Sequence, residues 1–255
     1  MPKVQFIGRV FPDASKVSAT APDLNWKQED IGLDATFRIK ISDSVVNINC
    51  DITKFESDTF VHLFMRVLDL SRALVNMVAF TSGYGLTVVL DAFIDPNGTS
   101  SLIAMIDPSL PPLCTSFSMD PARQKDFGTL CQIVLTEPQV FFALNELIGA
   151  ISVPHVSLIN CARAMDGLKH LLASPGSNES QAWKQMRDAL RLDEGYLKFI
   201  THHSKGSRHA EPGHTPGTIT TEVTRRAWTI MNRYFELRKR GQTALPATEF
   251  PLLTG

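Results

Sequence analysis

Two stretches of strict alternation, set back to back across a short polar turn, constrain this chain more than any other feature. Phe37, Ile39 and Ile41 alternate with Thr36, Arg38, Lys40 and Ser42; after Asp43-Ser44, Val46, Ile48, Cys50 and Ile52 alternate again. Successive side chains of a strand point to opposite faces, so a period of two means one buried face and one wet face. The pattern predicts a half-buried β-hairpin. A second hairpin is expected where 86–94 and 99–106 flank Asp95-Pro96-Asn97-Gly98, whose Pro and Asn-Gly supply turn chemistry. Between the hairpins Phe60, Phe64, Val67, Leu68, Leu74, Val75 and Val78 recur at helical spacing, which predicts a helix over 57–80 with Ser57 as its N-cap.

Past residue 136 the period changes to that of helices. Thr136-Glu137-Pro138-Gln139 reads as a capping box with an early proline, opening a helix to 151. Further helices are expected over 152–172, 179–190 and 193–202, and a last one over 219–240 that stops at Gly241. Residues 108–126, rich in Pro and Ser, read as a surface connection. The expected fold class is α+β: a β-rich part with hairpins and one long helix over 1–135, then a five-helix bundle over 136–255.

The compartment follows from what is missing. Met1-Pro2-Lys3-Val4 is not a basic stretch leading into an apolar run, which predicts no secretory signal. The apolar stretch over 73–94 is broken by Asn76, Gly83 and Asp91, so no membrane span is expected there. Cys50, Cys114, Cys131 and Cys161 lie far apart with no C-x-x-C spacing, as reduced structural thiols of a cytoplasmic protein would.

The overall charge of −1 conceals an asymmetry. Residues 1–150 hold 11 Lys+Arg against 17 Asp+Glu, a net of −6, whereas 151–255 hold 14 against 9, a net of +5, with six of the seven histidines. A basic half is the electrostatic footprint of a nucleic-acid partner, here RNA, with Lys205, Arg208, Arg225, Arg226 and Arg233 as contact residues. Attraction between the two halves would leave the same imprint.

Four histidines fall in the segment 202–214, His202-His203-Ser204-Lys205-Gly206-Ser207-Arg208-His209-Ala210-Glu211-Pro212-Gly213-His214. Imidazole titrates near neutrality and guanidinium grips phosphate, so Arg208, His209 and His214 form the first candidate catalytic set. A metal site built from His202, His209 and His214 is a weaker alternative that would make the protein a metal-dependent hydrolase; no metal and no cofactor is expected. Arg163, Asp166 and His170 share one helix face and form a second candidate set. Asp91, Asp95 and Asp107 sit at strand ends without His or Cys company.

Trp183-x-x-Met186-Arg187-x-Ala189-Leu190, Tyr196-Leu197-x-x-Ile200-Thr201 and Ser204-Lys205-x-x-Arg208-His209 resemble a run in uncharacterised bacterial HEPN-like proteins of the MauJ-like group. Trp228-x-x-x-Asn232-Arg233-Tyr234-Phe235 fits the same resemblance, which covers 140–255. It implies a small helical bundle, a homodimer, and membership of a superfamily of metal-independent endoribonucleases and RNA-binding components of antiphage defence and toxin–antitoxin systems. It also implies an Arg and a His separated by four to six residues, a spacing met by Arg208 with His214 and by Arg163 with His170. The alternative is a non-catalytic scaffold whose N-terminal domain engages a protein partner.

Overall fold

Nine residues outside either expected hairpin, Lys3–Phe11, form β1 at the middle of a seven-stranded sheet. The other strands are β2 (Ala19–Thr20), β3 (Leu24–Gln28), β4 (Leu33–Ser42), β5 (Val45–Ile52), β6 (Thr87–Ile94) and β7 (Ser100–Leu102). The order is β2-β4-β5-β1-β6-β7, β3 also pairs with β4, and every pairing is antiparallel. This is a computed structural model, and it describes residues 1–29, 31–56, 58–104, 106–114, 124–208 and 215–255. The chain divides into two compact units, Met1–Ala104 and Met105–Gly255, and has the α+β class that the alternation and helical periods imply.

In the first unit the β4–β5 hairpin forms as the alternation requires, with Phe37 opposite Cys50 and Ser42 opposite Val45. Asp43 and Ser44 take φ of 48° and 68°. Two consecutive left-handed residues match the right-handed twist of the strands they join. Ser44 is nevertheless buried, because its Oγ accepts from Val17 N at 3.0 Å and its carbonyl accepts from Val10 N at 2.8 Å. The second hairpin turns through Asp95, whose Oδ1 accepts from Asn97 N and Thr99 N, both at 2.8 Å.

Helix α1 (Thr59–Ser82) buries Leu63, Phe64, Val67, Leu68 and Val75 in a core shared with Phe6, Phe37, Ile39, Ile48 and Phe93 of the sheet. It ends at Gly83 with φ of 71°, so the apolar stretch 73–94 divides into a helix end and β6. Ser57, the expected N-cap, lies outside the described residues. Between Ile7/Ala92 and Gly8/Leu90 the β1–β6 register slips, leaving Asp91 as the extra residue of a bulge. Gly8 is required there: a Cβ on it would stand 2.2 Å from the Val89 carbonyl oxygen.

The second unit contains α2 (Gln124–Thr136), α3 (Pro138–Ser152), α4 (Ser157–Leu172), α5 (Glu179–Leu190), α6 (Glu194–Arg208) and α7 (Gly217–Arg240). Helix α4 packs against α3, α5, α6 and α7. Leu130 of α2 joins Val140, Leu147, Met165, Leu168, Met186, Ile200, Ile230 and Tyr234 in one core, which places α2 with the helices. The division between units therefore falls at 104/105, upstream of the 135/136 boundary expected from the sequence, and six helices are described where five were expected.

The capping box at 136–139 does not form. Thr136 Oγ1 donates to Gln132 O and closes α2, while α3 starts on Pro138 without a side-chain cap. A capping box forms instead at α5, where Asn178 and Gln181 exchange bonds of 2.9 Å. Among the described residues no single helix is long and apolar enough to cross a membrane.

Candidate functional site

Helix α6 is opened by Asp193, whose Oδ1 accepts from Tyr196 N at 2.5 Å. Tyr196, Leu197, Ile200 and Ser204 turn into the core, and Glu194, Lys198, His202 and Lys205 turn outward. The helix expected to end at 202 thus continues as far as Arg208. Nothing between His202 and Arg208 is a proline, and Ser204 extends the buried stripe by donating its hydroxyl to Thr201 O at 2.8 Å. His209 and His214, and with them most of the first candidate set, lie outside the described residues. Arg208 is the last residue of α6.

The two described histidines of the 202–214 segment differ in setting. His202 is exposed; His203 is partly buried, with its ring 4.6 Å from that of Phe199 and 5.4 Å from that of His202. Burial, and then the neighbouring His202, lower the pKa of His203 and favour its neutral form. Among the described residues no group of three His, Cys, Asp or Glu side chains could hold a metal ion.

A cleft of about 790 Å³ opens between α4, α5 and α6, lined by Asp166, Glu179, Trp183, Arg187, Thr201 and Lys205 among others. A second hollow of about 540 Å³ includes Phe199, His202 and His203 and shares Lys198, Thr201 and Lys205 with the first. The outer stripe of α6 is therefore the common wall of both. At the edge of the larger cleft Lys169 is only 5% exposed. Its ammonium stands 4.4 Å from the centre of the Trp183 ring, 3.2 Å from Asp166 Oδ1 and 3.5 Å from Glu179 Oε1. A buried ammonium needs such company, since desolvating it alone would cost far more than the fold has to spare.

The second candidate set does not share one environment. Arg163 is exposed and 3.7 Å from Glu146 of α3, Asp166 bonds Lys169 and lines the cleft, and His170 is exposed. Asp166 leans toward the buried cation one turn along, yet 37% of its side chain stays exposed at the cleft.

Three of the five expected nucleic-acid contacts are engaged by other groups of the protein. Arg225 and Arg226 both bond Glu222, at 2.7 and 2.6 Å, and hold its carboxyl down to about 2, Arg225 contributing most. Arg226 also lies over the rings of Tyr196 and Phe199, at 4.7 and 4.2 Å. Arg233 is 6% exposed and donates to the carbonyls of Leu190, Arg191 and Pro251. Lys205 remains on the exposed face of α6, joined there by Lys198, which pairs with Glu194 at 2.5 Å. Sequence reasoning passed over Lys198, Lys169 and Trp183. Only the four-residue spacing of Glu194 and Lys198 marked an outer face; Trp183 carried the signal of a core residue.

The strand-end carboxylates are structural. Asp91 pairs with Arg9 at 2.8 Å, Asp95 caps its turn, and Asp107 accepts from Ser109 N at 2.9 Å.

Residues 4–103 match the family model described as the N-terminal domain of a domain of unknown function, DUF8168, and residues 127–239 match the model of its C-terminal domain. No curated protein and no solved structure matches the chain.

Proposed function

For a chain that carries both DUF8168 domains in order, we propose that the helical unit is an RNA-binding module whose contact surface is the outer stripe of α6. The observation that carries this reading is the placement of Lys198, Thr201 and Lys205 on the wall shared by two open clefts, with Arg208 one turn beyond. Cations spaced along one exposed stripe meet successive phosphates of a strand, while hydroxyls and aromatic rings beside them meet sugars and bases. The resemblance to HEPN proteins supports the same surface. It further implies metal-independent cleavage: a His takes the proton of a 2′-hydroxyl, the 2′-oxygen attacks the adjacent phosphorus, and the 5′-oxygen leaves with a proton from a second His. Arg208 would offset charge on the phosphate, and His209 and His214 would move the protons.

Fluorescence anisotropy of a labelled single-stranded RNA, titrated between 50 and 200 mM salt, tests the binding. With three contacts on a single strand, the logarithm of affinity should fall against the logarithm of salt with a slope of about −2, and Lys205→Ala should reduce it by about 0.7. Arg233→Met should leave the slope unchanged. The same RNA incubated in chelator beside Arg208→Ala and His214→Ala reads cleavage separately. No binding, or a slope indifferent to Lys205, would refute the reading.

A second reading, a protein-interaction module, is favoured by one observation. Leu135, Phe141, Phe142 and Ile148 of α2 and α3 are exposed on a stretch whose only acidic or basic groups from 138 to 162 are Glu146 and His155. Light scattering of the purified chain and of Phe142→Glu tests it: an oligomer that the substitution dissociates would support this reading, and a monomer in both would remove self-association from it.

A further inference from the structure

We infer that the cleft between α4, α5 and α6 is a subsite for one ribonucleotide unit, with the base stacked on Trp183, the ribose hydroxyls on Glu179 and the phosphate on Lys205. This rests on the RNA-binding reading and names what that surface would hold. Trp183 is half-buried, packs against the helical core and also lines the cleft, so it offers a firmly held aromatic surface at an open site. Its ring is already polarised by the Lys169 ammonium at 4.4 Å, and Lys169 is itself fixed by Asp166. A base stacking on such a ring loses little entropy on the protein side, because the ring does not have to be ordered on binding.

The charges of the cleft distinguish a nucleotide from a plain anion. Arg187 lies 3.8 Å from Glu194, and Glu194 also bonds Lys198, so both cations of that corner already face a carboxylate. A free phosphate there would compete with Glu194 for both cations. A nucleoside does not: carboxylate oxygens accept from ribose hydroxyls. Glu179 is the acceptor with capacity, since it is 79% exposed and reaches Lys169 only at 3.5 Å. The 2′-hydroxyl is what lets such an acceptor tell RNA from DNA. Lys205, on the last outward turn of α6 before Arg208, then provides the phosphate contact and links the cleft to the α6 stripe.

Isothermal titration calorimetry of the full chain with AMP, dAMP and adenosine, alongside a 12-nucleotide RNA in the anisotropy assay, tests the assignment. The expected result is one AMP per chain, at least tenfold weaker binding of dAMP, and loss of AMP binding in Trp183→Leu. Lys205→Ala should weaken AMP several-fold while leaving adenosine unchanged. Glu179→Gln, which leaves Lys169 its 3.2 Å bond to Asp166, should shrink the preference for AMP over dAMP. Absence of AMP binding, equal affinity for AMP and dAMP, or an unchanged affinity in Trp183→Leu and Glu179→Gln would each overturn the subsite. RNA binding retained without AMP binding would leave the α6 stripe standing and remove the cleft; loss of both would remove both. AMP binding without RNA binding would identify the free nucleotide, not a strand, as the ligand.

Discussion

Arg233 Nη2 donates to the Pro251 carbonyl at 2.7 Å, and the same guanidinium reaches the Leu190 and Arg191 carbonyls at 2.9 and 2.8 Å. One side chain of α7 thereby binds the C-terminal segment to the α5–α6 junction, where Leu253 also bridges Leu192. Burial lowers the Arg233 pKa, and the three carbonyls supply the acceptors a buried guanidinium needs.

Arg233→Met keeps the aliphatic stem and removes every donor. Stability should fall by about 3 kcal/mol, because several charge-assisted bonds go and three carbonyls lose a partner. Urea denaturation of the two proteins checks it; an unchanged midpoint would deny the bond its structural role.

Gly8→Ala should destabilise the first unit by roughly 2–3 kcal/mol. The added Cβ would stand 2.2 Å from the Val89 carbonyl and 3.0 Å from Leu90 Cα, both backbone atoms of β6 that can retreat only by opening the bulge. Thermal denaturation reads this directly. An alanine at Gly32, where a Cβ would meet nothing within 4 Å, would report only the strain of its φ of 60°.

Glu222 sets an acid limit. Its folded carboxyl, held at about 2 by Arg225 and Arg226, lies below the ordinary value of 4.5. The unfolded chain therefore takes up the proton first, so this stabilisation is present above pH 4.5 and is lost as pH falls toward 2. Partial exposure of the carboxyl reduces the contribution to about 1–2 kcal/mol. Stability measured across that window should decline less steeply in Glu222→Gln than in the wild type.

The four thiols should divide into two classes. Burial pushes Cys50 and Cys161 up to about 12, so neither supplies thiolate at pH 8. An alkylating reagent followed by mass mapping should leave both unmodified in the native protein and modify them in denaturant. Native labelling of Cys50 or Cys161 would contradict the core placement.

Much of the first unit was legible because its signals are local. Alternation of Phe37, Ile39 and Ile41 with polar neighbours is a property of the strand itself, and Asp95 caps its turn through atoms two and four residues away. β1 was not read, although Val4, Phe6 and Val10 also alternate; Gly8 interrupts the stripe at the bulge, where backbone contact replaces a side chain. At the candidate site, helix α6 was recognised but stopped short, since a run of His, Ser, Lys and Gly resembles a loop until Ser204 is seen to be buried.

The sequence by itself determined the change of period, strands in the first part apart from α1 and helices past residue 136, because strand and helix patterns are written within a few residues. It also determined that the helical half carries the net positive charge. Only the tertiary structure decided which of those cations are available. Arg233 was withdrawn by carbonyls 18, 42 and 43 residues away, Lys169 was anchored by Trp183 and Glu179 of the next helix, and Lys205 was left facing an open cleft. A guanidinium or ammonium has the same composition whether it serves the core or a ligand; the distinction lies in acceptors that distant segments bring to it.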